Sequence, residues 1–498
     1  MQKLTTFGKK RLLFILAGIL VLVTSIYYCS SNSTGNHESM SADNLTAADS
    51  LELFAQSTLA RIQAKGELVA LTCYNAHSYF LYRGQPMGYD YELLQLLAQE
   101  MSVNLRIVVP DSRKAMESSL VSGEGDIIGM GMTVTQNNAE SLKFTTPLRT
   151  TRQVLVQRMP EDWEKLEEHE ITNLLIRNPI DLRNKTVSVH ANSAFEDRLA
   201  NLAQEIGEEI FVELMPDSLG VEALIRMVSE AEIEFTVANE DVALLYQTLY
   251  PNINVGTPIS FTQHIAWAVR KDSPFLLNAV NSWLNQMQST YDPTYNVIYN
   301  KYFKNMTAFR RRQNSDYFSI NGNRISIFDD LFQSHANRIG WDWRLLAAQA
   351  FEESRFNRHI ESWMGAVGVM QLLPSTGERF GAKDLRNPAD NILAGTNYLQ
   401  WLESYWSREI QDPNERIKFI LASYNAGQGH IQDARRLAAK YGYNPNAWDG
   451  NVAVFLLKKS NKKYYNDPVV RFGYCRGDEA FQYVKDILER YEHYKLLT

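Results

Sequence analysis

Hydrophobic and polar positions follow two different rhythms along the chain. From Gly66 to about residue 305, short apolar runs alternate with amphipathic segments. Residues 67–72, 104–109 and 126–130 have the length and composition of strands. Between them, residues 91–101 place Leu93, Leu94, Leu97 and Ala98 on one helical face. A second unit opens with a strand at 185–190 and a helix at 195–206. Strands alternating with helices predict an α/β layer around a mostly parallel sheet. The acidic stretch 161–170 predicts a solvated surface helix. From Ile327 the rhythm becomes helical. Residues 343–356 contain strong helix formers and neither Gly nor Pro, with Asp342 as the N-cap. Apolar residues occur around most of this segment, which predicts a buried helix carrying Glu352 and Glu353 at its end.

The ends and joints have their own signatures. Lys9, Lys10 and Arg11 precede an uncharged apolar run from Leu12 to Tyr28. An export signal and an uncleaved anchor both fit this segment, residues 1–29, and either sends the rest of the chain across the membrane. Cys29 offers a lipoprotein reading, but Tyr27 and Tyr28 fit poorly where such processing wants small residues, so it is the less favoured expectation. Residues 30–50 form a polar, Ser- and Asn-rich tether. A second joint is expected at 306–318, where Arg310, Arg311 and Arg312 precede polar residues and suggest a solvated hinge. The organisation is therefore multidomain, with an α/β unit at 51–305 and a mainly α unit at 319–498.

Composition narrows the function. At about 150 residues per domain, 498 residues allow roughly three units. A net charge of −7 argues against a dedicated nucleic-acid binder. Three scattered cysteines, Cys29, Cys73 and Cys475, supply neither a disulfide scaffold nor a metal site, and no cofactor motif is present.

The α/β unit carries an ordered set of elements: Gly84-Gln-Pro-Met-Gly-Tyr-Asp-Tyr-Glu92, Ser122-Gly-Glu-Gly-Asp126, Phe144-Thr-Thr-Pro147 and Leu182-Arg-Asn-Lys-Thr-Val187. In this order they resemble the family-3 periplasmic solute-binding proteins. The resemblance implies two lobes joined by crossing strands, with a small ligand in the cleft. It also implies a carboxylate-clamping Arg and an amine-binding Asp, but this chain has Asn138 and Asn239 at those positions. An amide cannot neutralise a zwitterion, so an ordinary free amino acid is not the expected ligand. Candidate cleft residues are Asn75, Tyr79, Asn138 and Asn239.

Glu352 and Glu353 cannot be told apart by composition, and either could simply pair with Arg344 or Arg355. The surrounding motifs separate them. Glu353-Ser-Arg-Phe356, Gly365-Ala-Val-Gly-Val-Met-Gln-Leu-Leu-Pro374, Asn387-Pro-Ala-Asp-Asn-Ile392 and Tyr424-Asn-Ala-Gly427 follow in sequence. Together they resemble the soluble-lytic-transglycosylase domain, a relative of goose-type lysozyme. The resemblance implies that Glu353 is the acid/base, followed by Ser354. It places Met370, Gln371, Tyr424 and Asn425 along the glycan groove and Tyr483 near Glu353.

A glycosidase normally works with two carboxylates. Here the other candidates are Glu361, Asp384 and Asp390. The first two match no position of the family, and Asp390 sits in an element of structural character. The resemblance therefore implies a lytic route, in which the substrate's own C6 hydroxyl closes on C1 and leaves a 1,6-anhydromuramoyl end. A water-using hydrolase and a non-catalytic envelope sensor are the rival expectations. The expected partners are peptidoglycan strands, a small wall-derived ligand in the cleft, and a membrane through the N-terminal segment, with no nucleic acid. The joined resemblances imply a tethered enzyme facing the periplasm. The outer membrane is the usual location of such proteins, while the N-terminal run would equally suit an inner-membrane anchor.

Overall fold

The computed structural model describes residues 53–496 apart from 217, 218, 290 and 323, so the anchor segment 1–29 and the tether 30–50 lie outside the described residues. Two units separate, Met1–Ala64 and Lys65–Thr498. The described part of the first carries the start of a helix, Thr58–Lys65. Among the described residues, no helix is long and apolar enough to cross a membrane.

Among the described residues, the second unit begins with thirteen strands in chain order: β1 (Glu67–Leu71), β2 (Phe80–Tyr82), β3 (Gln85–Met87), β4 (Asn104–Val108), β5 (Ile127–Thr133), β6 (Leu142–Phe144), β7 (Arg149–Thr151), β8 (Gln153–Arg158), β9 (Thr186–His190), β10 (Phe211–Met215), β11 (Phe235–Asn239), β12 (Ile253–Pro258) and β13 (Gln263–Arg270). They build two sheets. The first runs β4-β1-β5-β13-β6 with β7 on β13, and the second runs β10-β9-β11-β8-β12. In each sheet the strands followed by helices pair in parallel, β1 with β4 and β5, β9 with β10 and β11. The strands that return from the other lobe pair antiparallel: β13 on β5 and β8 on β11. The chain crosses between lobes from β7 to β8 and from β12 to β13. These crossings are tied together, since Gln153 N donates to Ser260 Oγ and Ile259 N to Gln153 O, both at 2.9 Å. The two lobes that the resemblance implies are thus present, but each sheet is mixed and not mostly parallel, because the returning strands β8 and β13 enter antiparallel.

Helices α1 (Tyr89–Glu100) and α2 (Arg113–Ser122) serve the first lobe, and α3 (Ala194–Ile206) and α4 (Val221–Ser229) the second. Each lobe has its own apolar core. Leu71, Met116, Leu120 and Ile128 anchor one, and Leu155, Val187, Leu199 and Val237 the other. In the first lobe Asp90 is buried and accepts from Trp267 Nε1 (2.8 Å), so both polar groups are satisfied.

The segment expected to be a solvated hinge is instead structured. Residues 306–313 form α5 (Met306–Gln313), capped by Asn305, and Arg312 is buried with its guanidinium 5.5 Å from the Tyr302 ring and 5.8 Å from that of Phe80. Aromatic faces accommodate this cation, which composition alone assigned to solvent.

The helical domain follows, with α6 (Asp329–Ile339), α7 (Trp343–Ser354), α8 (Pro388–Trp406), α9 (Pro413–Ala426), α10 (Gln428–Lys440) and α11 (Gly477–Lys495) as its main elements. Asp342 caps α7 by accepting from Arg344 N (2.9 Å). Helix α7 packs on α6 and α11, and α9 on α8, α10 and α11. The last helix of the chain therefore closes the domain. Leu81, from the β2–β3 hairpin of the solute-binding half, is buried within this helical core. A wholly buried ion pair joins α10 to the segment after it: Lys459 Nζ lies 2.7 Å from Asp433 Oδ2, which also accepts from Phe472 N (2.8 Å). Asp433→Ala leaves that buried lysine without its counter-charge, though still bonded to His430 Nδ1 (2.8 Å), so urea unfolding of the variant should show a loss of about 3 kcal/mol.

Candidate active site

Glu353 sits in the last turn of α7, with Gln349 one turn before it on the same face. Leu345, Leu346, Ala347, Ala348, Gln349, Ala350 and Phe351 of this helix are all buried, so its end is held in apolar surroundings. Burial, opposed in part by the hydrogen bond from Tyr483 and aided slightly by the Glu352 carboxylate, leaves the Glu353 carboxyl pushed up to about 8. The helix C-terminus adds partial negative charge in the same place. Such a carboxyl holds its proton at neutral pH, as a general acid must.

Tyr483 comes from α11 and donates its hydroxyl to Glu353 Oε1. Gln349 Nε2 donates to the same phenol oxygen (3.2 Å). The three side chains form a chain of hydrogen bonds that fixes the acid's orientation. Gln349 carried no sequence signal beyond its i−4 spacing from Glu353.

The backbone beside the acid is equally well tied. Ser354 is buried, and its Oγ lies 2.8 Å from Val369 O, with Ala350 O at 3.2 Å. Met370 N donates to Asn391 Oδ1 (2.7 Å), and Asn391 Nδ2 donates to Val367 O and Leu385 O (2.9 Å each). A Cβ at Gly368 would fall 2.4 Å from Asn391 Nδ2 and 2.5 Å from Leu385 O, so only glycine fits there. Tyr424, on α9, donates to Met370 O (2.8 Å). Gln371 folds back, its Nε2 donating to Gly368 O (2.9 Å) and Ile360 O (3.2 Å).

The candidate groove residues therefore divide. Tyr424 and Tyr483 both border the acid: Tyr483 bonds Glu353, and Tyr424 bonds Met370 O, next to the Val369 carbonyl that Ser354 holds. Gln371 is partly exposed, and Asn425 is exposed at the end of α9. Met370 does not present its side chain to a groove. It is wholly buried and lies against Gly395 of α8, so its carbonyl, not its thioether, is the group held by Tyr424. Ser354 likewise braces the acid helix from within.

The other carboxyls are engaged elsewhere. Glu361 pairs with Arg386 (3.0 Å). Asp384 accepts from Arg386 N (2.9 Å), and Asp390 from the amides of Lys383 and Asp384 (3.2 and 3.0 Å). Glu352 pairs with Arg490 of α11 and not with Arg344, which bonds Asp342, or with Arg355.

A second site lies between the lobes, a cavity of about 540 Å³. Asn75, Asn138 and Asn239 line it, as do Arg113, His190 and Glu222. Asn75 and Asn138 also shape turns: Asn75 Oδ1 accepts from Ser78 N (2.6 Å), and Asn138 Oδ1 from Thr135 N (2.9 Å). Asn239 Oδ1 is buried without a hydrogen-bond partner among the described residues. Tyr79 does not reach the cavity. Its ring is fully buried and its hydroxyl meets His493 Nδ1 of α11 (2.8 Å), so it belongs to the contact between the two halves. Asn137 and Asp197 (3.1 Å) connect the lobes across the cavity rim.

These two sites define a two-lobed solute-binding domain joined to a helical glycan-cleaving domain. Residues 54–305 match the model of bacterial extracellular solute-binding proteins, family 3, and residues 330–446 match the transglycosylase SLT domain. A membrane-bound lytic murein transglycosylase F of Desulfosudis oleivorans is 33% identical over 88% of this chain and 92% of its own length. One of Alcanivorax borkumensis is 29% identical over 88% and 89%. The crystal structure of an ancestral amino acid-binding protein, a precursor of cyclohexadienyl dehydratase, covers 50% of this chain and all of its own, with 25% identity and a TM-score of 0.42. The chain belongs to the membrane-bound lytic murein transglycosylase F family, and is a lyase acting on peptidoglycan.

The elevated proton affinity of Glu353 carries a stability cost. Between the unfolded value near 4.5 and about 8, the folded protein holds a proton that the unfolded chain has lost, so stability falls as pH rises through that window. Glu353→Gln removes the cost. Thermal or urea unfolding at pH 7 should show the variant more stable by roughly 1–3 kcal/mol, with the difference vanishing near pH 4.

Proposed function

We propose that Glu353 cleaves the β-1,4 bond between N-acetylmuramic acid and N-acetylglucosamine by the lytic route. Protonated Glu353 donates to the glycosidic oxygen as the bond to the muramoyl C1 breaks. The positive charge that builds on C1 is met by the neighbouring acetamido group of the substrate. Ionised Glu353 then takes the proton of the C6 hydroxyl, which closes on C1. An internal nucleophile acts at high effective concentration and needs no second carboxylate. The observation that carries this reading is one proton-holding carboxyl, Glu353, set apart from Glu361, Asp384 and Asp390, each of which is bound to its own neighbours.

Tyr483 orients the acid, Tyr424 and Asn391 hold the 368–371 backbone that floors the groove, and Gln371 and Asn425 face the glycan. The site works at the cell envelope, on its periplasmic side, with the chain held to a membrane as the relatives' name describes. The inter-lobe cavity takes a small ligand through Asn75, Asn138 and Asn239. Its closure modulates cleavage: the cavity-lining residues Asn75, His77 and Ser78 run directly into Tyr79 and the β2–β3 hairpin, which packs in the helical core.

Products released from sacculi should be one water lighter than hydrolytic muropeptides by mass spectrometry, and Glu353→Gln should lower their release at least 10³-fold, on the order expected when a reacting group is lost. Hydrolytic masses would retire the lytic route. To test the modulation, Asn137→Cys and Asp197→Cys, in a Cys73→Ser background, are bridged with a short bis-maleimide. Cleavage rates before and after bridging should differ severalfold, whereas equal rates would separate the lobes from the reaction.

A further inference from the structure

Helix α11 presents two donors to the end of α7, one turn-pair apart. Tyr483 reaches Glu353, and Arg490, seven residues later on the same face, reaches Glu352. Arg490 Nη2 and Nε lie 2.6 and 2.9 Å from Glu352 Oε1. Its guanidinium carbon lies 3.8 Å from the centre of the Phe351 ring. Its remaining nitrogen, Nη1, donates to Gly84 O (3.2 Å) at the tip of the β2–β3 hairpin. That carbonyl also accepts from Tyr494 of α11 (2.9 Å). Gly84 has φ +74°, and a Cβ on it would come within 2.6 Å of the Tyr494 hydroxyl, 2.7 Å of Phe356 and 3.0 Å of Phe351. Three groups therefore hold the guanidinium: a carboxylate, an aromatic face and a carbonyl from the other domain. A planar fork with five donors is fixed by such a set, where a lysine would swing.

The position matters because Glu352 and Glu353 are neighbours in sequence. An uncompensated Glu352 carboxylate repels the charged form of Glu353, and an uncompensated Arg490 attracts it. We propose that Arg490 is a positioning residue for glycan cleavage: by pinning Glu352 as a neutralised pair, it leaves Glu353 as the single carboxyl that exchanges a proton with substrate. This rests on Glu353 being the acid. The other ionisable groups facing Glu353 are Tyr483 of α11 and Tyr424 of α9; those facing Glu352, besides Arg490, are Glu489 and Tyr494 of α11. Neither tyrosine near the acid ionises at the pH of the assay, since burial holds both phenols well above their usual value.

The test is the pH profile of kcat/KM for release of soluble muropeptides from sacculi by the full chain. The basic limb follows loss of the Glu353 proton. Glu352→Gln leaves a bare guanidinium nearby, and the limb should move to lower pH by about half a unit or more. Arg490→Gln leaves a bare carboxylate, and the limb should move to higher pH by a similar amount. The double variant should return close to the parent. A residue with a merely structural part would change rates or melting temperature without moving the limb in opposite directions. Both single variants shifting the same way, or neither shifting, would overturn the proposal. If Arg490→Gln does not fold, Glu352→Gln alone decides, and an unmoved limb in that variant is enough to reject it. Failure of the underlying reading is distinguishable, because Glu353→Gln would then keep its activity.

Discussion

The contact on which the molecule turns is the phenol of Tyr483 on the carboxyl of Glu353. It joins the last helix of the chain to the helix that carries the acid, and it is made in a place stripped of other polarity. A carboxyl left alone there would be a defect. One donor hydroxyl, itself supported by Gln349, gives it a single orientation without supplying enough polar contact to ionise it. Burial raises the proton affinity, and the hydrogen bond limits the rise. A cation in place of the phenol would have drawn the proton off. The guanidinium that α11 brings to this end of α7, Arg490, is spent on Glu352 instead.

Helix α11 carries both the phenol and this guanidinium. It meets α7 and α9 along its length, and its C-terminal turns meet the solute-binding half as well. Tyr483, Arg490, His493 and Tyr494 lie along it in order, running from the acid to the hairpin. Burial lowers the His493 imidazole to about 4, so it stays neutral against Tyr79 across the physiological range. The contact between the halves is thus made mainly of neutral hydrogen bonds and rings, with Arg490 on Gly84 O and Lys485 on Asn104 as charged members. Such a seam is insensitive to ordinary changes in pH and salt.

Much of this was legible in the sequence, and the boundary of legibility is physical. Helix 343–354 could be anticipated because its cap, its helix formers and its missing Gly and Pro are local properties. Short apolar runs marked β1, β4, β5 and β9 but left the returning strands β8 and β13 unread, and Asn75, Asn138 and Asn239 do line the cavity. Tyr79 could not be placed, because its partner lies 414 residues away and nothing beside it in the chain distinguishes a cleft tyrosine from an interface one. Arg312 failed for a similar reason: three arginines in a row suggest solvent until two aromatic rings from distant segments are brought over one of them. Met370 shows a further limit. Its motif locates the right stretch of backbone, but whether a side chain or a carbonyl does the work depends on a small residue opposite, Gly395, that lets the thioether sink into the core.

The β2–β3 hairpin is short, yet it places Leu81 in the helical core and Gly84 against three aromatic or phenolic groups of the other domain. Backbone pairing fixes its approach: Arg83 N donates to Tyr317 O (3.0 Å), and Leu81 N to Ser319 Oγ (2.9 Å). The hairpin follows the cavity wall at 75–78 with no slack between them, so a shift of that wall on ligand closure has few places to go. Packed interiors transmit such strain in place of absorbing it. Under the proposed modulation, the first catalytic-domain groups to register it are those touching Gly84 and Tyr79, namely Phe351, Arg490, His493 and Tyr494. Phe351 is two residues from the acid, and Arg490 holds the acid's neighbour. The solute-binding half would then act without approaching the glycan, by altering the frame around one proton.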